Sequence, residues 1–153
     1  MRFLNKLALT FTHLLLLSSV IFFQPLSSVM AGEENTAKNV SLKVIMQGLL
    51  NDTKMITEGI FLENYPMIEK GAKQIAQHPQ VPMETRKKLL KALGSEMGQF
   101  KGFDMKVHNT AVSIAQAAKN NNMEAILSNY HQLIDGCQYC HESFKQRTVE
   151  ILK

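Results

Sequence analysis

A 153-residue chain with a formal charge of +4, 45% apolar and 20% charged residues has the balance of one globular domain. It is neither a disordered chain nor long enough for a large two-domain enzyme. It has no Trp, four Pro and eight Gly, too few turn residues for a sandwich or barrel of many short strands.

The N-terminus reads as an address. Arg2 and Lys6 precede an uncharged apolar stretch, Leu7 to Phe23, which Gln24-Pro25 breaks. Val29-Met30-Ala31 then offers a small-residue cleavage site before the polar run Gly32-Glu33-Glu34-Asn35. This order predicts a secretory signal peptide over 1–31 and a mature domain over 32–153. An uncleaved anchor is the competing reading, since the stretch is at the short edge of a bilayer span and carries Thr10, Thr12, His13, Ser18 and Ser19. Loss of Arg2 and Lys6 with the leader lowers the formal charge from +4 to +2. No dense basic block with aromatics remains, so nucleic acid is not an expected partner. Arg86, Lys87, Lys88 and Lys91 read as a solvated helix face.

The mature chain has helical spacing throughout. Leu42, Ile45, Met46, Leu49, Leu50, Ile56 and Ile60 form the first stripe, with Asn39 or Ser41 as its cap. Asn64 caps a second helix, with Pro66 in its first turn and Met67, Ile68, Ala72, Ile75 and Ala76 along it. His78-Pro79-Gln80-Val81-Pro82 ends it. Residues 83–98 form a shorter piece, and Gly98 and Gly102 are expected to mark a join. Phe103, Val107, Ala111, Ile114, Ala115 and Ala118 make a third long stripe, Asn120-Asn121-Asn122 a turn, and a last helix starts near Met123. There is no period-2 segment. The expected fold is all-α, an antiparallel four-helix bundle.

The only cysteines fall in Cys137-Gln138-Tyr139-Cys140-His141. C-x-x-C-H is the c-type haem attachment pattern. The thiols, on one side of a helical turn, add across the two vinyl groups, and His141 is presented to the iron as proximal ligand. Such attachment takes place outside the cytoplasm, in keeping with the leader. A thioredoxin-type pair would need a βαβ setting, a zinc site four ligands, and a disulfide across so short a loop would constrain little.

His141 lies only twelve residues from the end, so a second axial ligand has to come from upstream, on another helix. In this layout, and in Cys137 to Lys145 (C-Q-Y-C-H-E-S-F-K), the chain resembles the cytochrome c′ / cytochrome c-556 family, the class II c-type cytochromes. The resemblance implies a four-helix bundle with haem c on the C-terminal helix, Phe144 beside the haem, and Lys145 near the proximal face or a propionate, where the family often has Arg. It further implies that the first helix supplies the distal residue. In Lys43-Val44-Ile45-Met46-Gln47-Gly48-Leu49, Met46 lies at about that position, on what reads as the inward stripe, with Gly48 lowering the bulk nearby. Core filling is the competing reading for Met46, and Met55 is the second choice as ligand. The family often pairs through its first two helices, so a homodimer is in view.

His131 shares a helix with His141 and cannot oppose it. His78 reads as a solvated cap, and His108 as a surface residue that could approach a propionate or the distal side. Met67, Met83, Met97, Met105 and Met123 read as core. With no general acid–base pair in the sequence, the expected function is one-electron transfer in the periplasm with redox partner proteins, by a haem protein that is not an enzyme. The alternatives are a five-coordinate form that binds nitric oxide or carbon monoxide, and a helical adaptor without haem.

Overall fold

Ser41 holds an extended backbone, and its hydroxyl accepts the Val44 N–H at 3.3 Å, so α1 (Leu42–Phe61) begins there. The computed structural model describes residues 40–153; the leader over 1–31 and the alternative cap Asn39 lie outside the described residues. α1 ends in a Schellman turn. Glu63 takes a φ of 50°, its N–H bonds Ile60 O at 3.2 Å, and the Asn64 N–H reaches back to Gly59 O at 2.8 Å. The Asn64 side chain then accepts the Met67 N–H at 3.1 Å and opens α2 (Tyr65–Ala76), with Pro66 in its first turn.

The prolines of the following link keep it out of the helix. α3 (Met83–Leu93) leads through a 3₁₀ turn, Gly94–Glu96, into α4 (Met97–Lys119). Gly98 and Gly102 lie inside α4 and do not mark a join; neither has a neighbouring side chain that a Cβ would strike, so the helix carries both. The second hairpin repeats the first. Asn121 takes φ 52°, the Asn122 N–H bonds Ala117 O at 3.0 Å, and the Asn122 side chain caps α5 (Met123–Cys140) through the Ala125 N–H. α5 runs on through a π-helical turn, His141–Lys145, into α6 (Gln146–Ile151), so the C-terminal part is one rod from Met123 to Ile151. No strand occurs among the described residues, and no helix there is long and apolar enough to cross a membrane.

The two tight turns make α1–α2 and α4–α5 antiparallel hairpins, and α2 packs along α4. The result is an all-helical bundle. α1 and α5 make no comparable backbone approach. They meet through Tyr130 Oη and Thr57 Oγ1, 2.6 Å apart. Thr57 gives its only hydroxyl hydrogen to Thr53 O, so Tyr130 is the donor.

The apolar interior has two parts. The larger, in the body of the bundle, is built on Ile56, Ile68, Ala72, Ile75, Ala111, Ile114, Ala118, Ile126 and Leu133. Burying each large side chain contributes about 1.5–3 kcal/mol. The smaller lies at one end, where Leu42, Leu89, Leu93 and Met97 surround Phe144. α3 therefore serves as a cover over that end, bringing Leu89 and Leu93 to the start of α1 and the end of the rod. The expected inward stripe of α1 is narrower than its apolar residues suggest: Leu42, Ile45 and Ile56 are buried, but Met46 and Leu50 are not.

Candidate functional site at the α1–α5 flank

The Thr57–Tyr130 hydrogen bond sets the register of α1 against α5. In an antiparallel pair, each step back along α1 is a step forward along α5. Eleven residues before Thr57 is Met46, and eleven after Tyr130 is His141. Both therefore stand at one height, ~16 Å along the axis from the hydrogen bond. Residues 46, 50, 53 and 57 recur at helical spacing on one flank of α1, as do 130, 134, 137 and 141 on α5. Carried along at helical rise from the Thr57–Tyr130 bond, the register sets Thr53 level with Ile134, Leu50 with Cys137 and Met46 with His141. The ends of the helices agree, since Leu42 shares the smaller cluster with Phe144, and Ile56 the larger with Leu133.

Met46 is 39% exposed, Leu50 54% and Ile134 38%. Three apolar side chains thus stay accessible along the facing flanks, beside a core that buries their helical neighbours. Met46 does not lie on the inward stripe, as expected from the sequence, but about a quarter-turn round from buried Ile45. Met55 falls elsewhere, in a groove between α1 and α2 with Pro66, Met67 and Lys70. It is nine residues below Met46 and on another side of the helix, so it is not at the height of His141.

Cys137 and Cys140 are free thiols, each partly buried. Cys140 packs against the Phe144 cluster. Burial pushes the Cys137 thiol up, and it pushes Cys140 up to about 11, with the charges of Cys137 and Asp104 adding to the effect. Both are protonated at neutral pH and poor as thiolate nucleophiles. They sit within a continuous rod rather than at a helix N-terminus, which removes the device that activates thioredoxin-type pairs. Among the described residues, no group of three or more His, Cys, Asp or Glu could hold a metal ion. His141 is exposed at the first position of the π turn.

Gly136 lets α4 come close beside the motif: a Cβ there would stand 3.0 Å from Val107 Cγ2. Lys106 of the same α4 stretch places its Nζ 5.7 Å from the Tyr139 ring centre, between the two cysteines in sequence.

Phe144 is buried edge-on against Phe100 (centroids 5.5 Å apart) and Phe103 (6.2 Å). Lys145 is exposed and makes no ion pair among the described residues. Arg147, two positions on, grips both carboxylate oxygens of Glu96 at 2.6 and 3.0 Å and lies 5.3 Å from the Phe144 ring centre. This arginine was not singled out by sequence reasoning, because its partner is 51 residues away. Phe100 escaped notice because the segment around it read as a join. Nothing in the local sequence announces the π turn, although such turns gather at functional sites.

The histidines also separate. His108 lines an open groove between α2 and α4 with Glu69, Lys73 and Gln77, away from the α1–α5 flank. His78 is not a solvated cap: its ring is 15% exposed and pairs with Asp104. His131 is exposed on α5. No protein-family model, curated protein or solved structure matches the chain.

Proposed function

We propose that this chain is an exported, periplasmic c-type cytochrome of the cytochrome c′ / c-556 kind, carrying one haem c and passing single electrons between redox partner proteins. Cys137 and Cys140 hold the haem as thioethers, His141 is the proximal ligand and Met46 the distal one. The observation that carries the reading is the height match: the one imidazole that follows C-x-x-C stands level with a methionine on the facing flank of α1. The donor set fits the group. Two free thiols three residues apart offer sulfur on one rod, and burial keeps them protonated, as unmodified thiols awaiting addition and not as a redox pair.

When bound, the haem supplies a one-electron Fe(III)/Fe(II) couple, whose potential a thioether ligand raises. The chain's part is to hold and shield. The Phe144 cluster braces the rod beside Cys140, Leu50 and Ile134 offer apolar contact on either side, and the Thr57–Tyr130 hydrogen bond keeps the flanks in register. A His–Met pair leaves no open coordination position, which suits an electron carrier. Phe144 supports the site through Phe100 and Phe103, and Lys145 remains free for a propionate.

The test is expression of the full chain with a haem-attachment system, followed by mass spectrometry and visible spectra. The expected result is a mass increase of one haem, low-spin bands in both redox states and a methionine–iron charge-transfer band in the ferric form. In Met46→Ala that band vanishes and carbon monoxide binds readily. A polypeptide without added tetrapyrrole under active attachment would overturn the reading and leave a helical adaptor. A second reading, a five-coordinate binder of nitric oxide or carbon monoxide, draws on the 39% exposure of Met46, an unbranched side chain with little packing to fix it. High-spin spectra of the parent protein would select it.

A further inference from the structure

The link between α2 and α3 meets α4 at a charged point. His78 Nε2 lies 3.4 Å from Asp104 Oδ1, while Nδ1 lies 2.9 Å from the carbonyl oxygen of Pro79. Both ring nitrogens thus face acceptors. A neutral imidazole has one N–H and satisfies one of them; the imidazolium satisfies both. The Asp104 hydrogen bond raises the His78 pKa above its ordinary value, with smaller help from Pro79 and from the Asp104 charge, and against the effect of burial.

Asp104 connects this pair to the motif. It begins the α4 stretch that lies against the motif: two residues on, Lys106 Nζ stands 5.7 Å from the Tyr139 ring centre, and Val107 Cγ2 would stand 3.0 Å from a Cβ at Gly136. On α4, His108 stands one turn beyond Asp104 and faces the α2–α4 groove, while Lys106 is directed to the Tyr139 ring of α5. No charged side chain other than Asp104 shifts His78. The pair is therefore a simple two-group system beside the second cysteine.

We infer that His78, held by Asp104, is a proton-uptake site coupled to the redox state of the Cys137–His141 motif, so that the protein moves protons with electrons. The inference rests on the cytochrome reading. When a one-electron donor reduces ferric to ferrous haem, the motif gains one negative charge. His78 Nε2, where neutral, then takes one proton from solvent; oxidation releases both. No other bond forms or breaks. The added negative charge stabilises the imidazolium, so His78 binds its proton more tightly in the reduced protein. Between its two pKa values the midpoint potential falls as pH rises, and outside them it is flat.

The experiment is potentiometry of the haem-loaded full chain from pH 5 to 9, with His78 followed by NMR in each redox state. We expect about a threefold difference in His78 proton affinity between the states, or ~30 mV of potential at 59 mV per tenfold. His78→Gln should abolish that segment, and Asp104→Asn should move it to lower pH. A flat parent profile, or a pH dependence unchanged in His78→Gln, overturns the inference while the haem spectrum leaves the cytochrome reading standing. A protein with no haem spectrum overturns both.

Discussion

Phe144 is the largest side chain fully removed from solvent, and it stands three residues after His141 in the turn that changes from α to π geometry. Its ring is enclosed by Phe100, Phe103 and the Arg147 guanidinium. Phe144→Ala should cost about 3–5 kcal/mol in chemical denaturation, because α3 and α6 cannot close over the cavity without breaking their own contacts. Glu96→Ala leaves that cavity filled and should lower stability far less, since both partners of the ion pair are open to water. His78 adds a pH dependence of known sign. Its folded pKa lies above the ordinary imidazole value, so its stabilisation is complete below about pH 6.5 and is lost as pH rises through the folded value. Thermal melts of the parent and His78→Gln should therefore converge as pH is raised from 6 to 8.

At the scale of elements, the two hairpins share one construction: a left-handed residue closes one helix and an Asn side chain opens the next. Asn64 was legible as a cap and Asn120-Asn121-Asn122 as a turn, because both signals are local, whereas the capping role of Asn122 is seen in the fold. The close crossing of α1 and α2 was not legible. A Cβ at Gly71 would stand 2.9 Å from both Asp52 O and Ile56 Cγ1, so backbone as well as side chain would have to move. Gly71→Ala should destabilise by about 1–3 kcal/mol. Gly102→Ala, in open space within α4, should instead stabilise by roughly 0.5–1 kcal/mol, as loss of glycine's unfolded freedom does in a helix interior. Denaturation of the two variants beside the parent checks the contrast. The same reasoning explains the mistaken join: Gly98 and Gly102 are unfavourable in a helix, but the packing of Met97, Phe100 and Phe103 on the Phe144 cluster outweighs that preference.

At the scale of the whole molecule, α1 and α5 are held together differently from their neighbours. Close packing joins the other adjacent pairs, while a phenol–hydroxyl bond aligns this one. Tyr130→Phe should cost about 1 kcal/mol in stability. On the cytochrome reading it should also raise the rate at which carbon monoxide enters in place of Met46, because this bond is the side-chain hydrogen bond that fixes the register of α1 against α5. Stopped-flow mixing of the ferrous protein with carbon monoxide measures that rate. An unchanged rate would mean that the hairpin packing alone maintains the register.

Helix periods, the Ser41 and Asn64 caps and the C-x-x-C-H pentapeptide depend on neighbours within a few positions, so the linear order of residues determined them. Even the candidacy of Met46 could be reached that way, by resemblance, though not its exposure. The tertiary fold alone decided that Met46 and not Met55 stands level with His141, that Phe144 is braced by Phe100 and Phe103, that Arg147 finds Glu96, and that His78 meets Asp104. Each of these joins residues at least 26 positions apart in the chain. Period and capping say which residues turn inward on a helix; only packing one helix against another sets the height and angle at which two side chains meet.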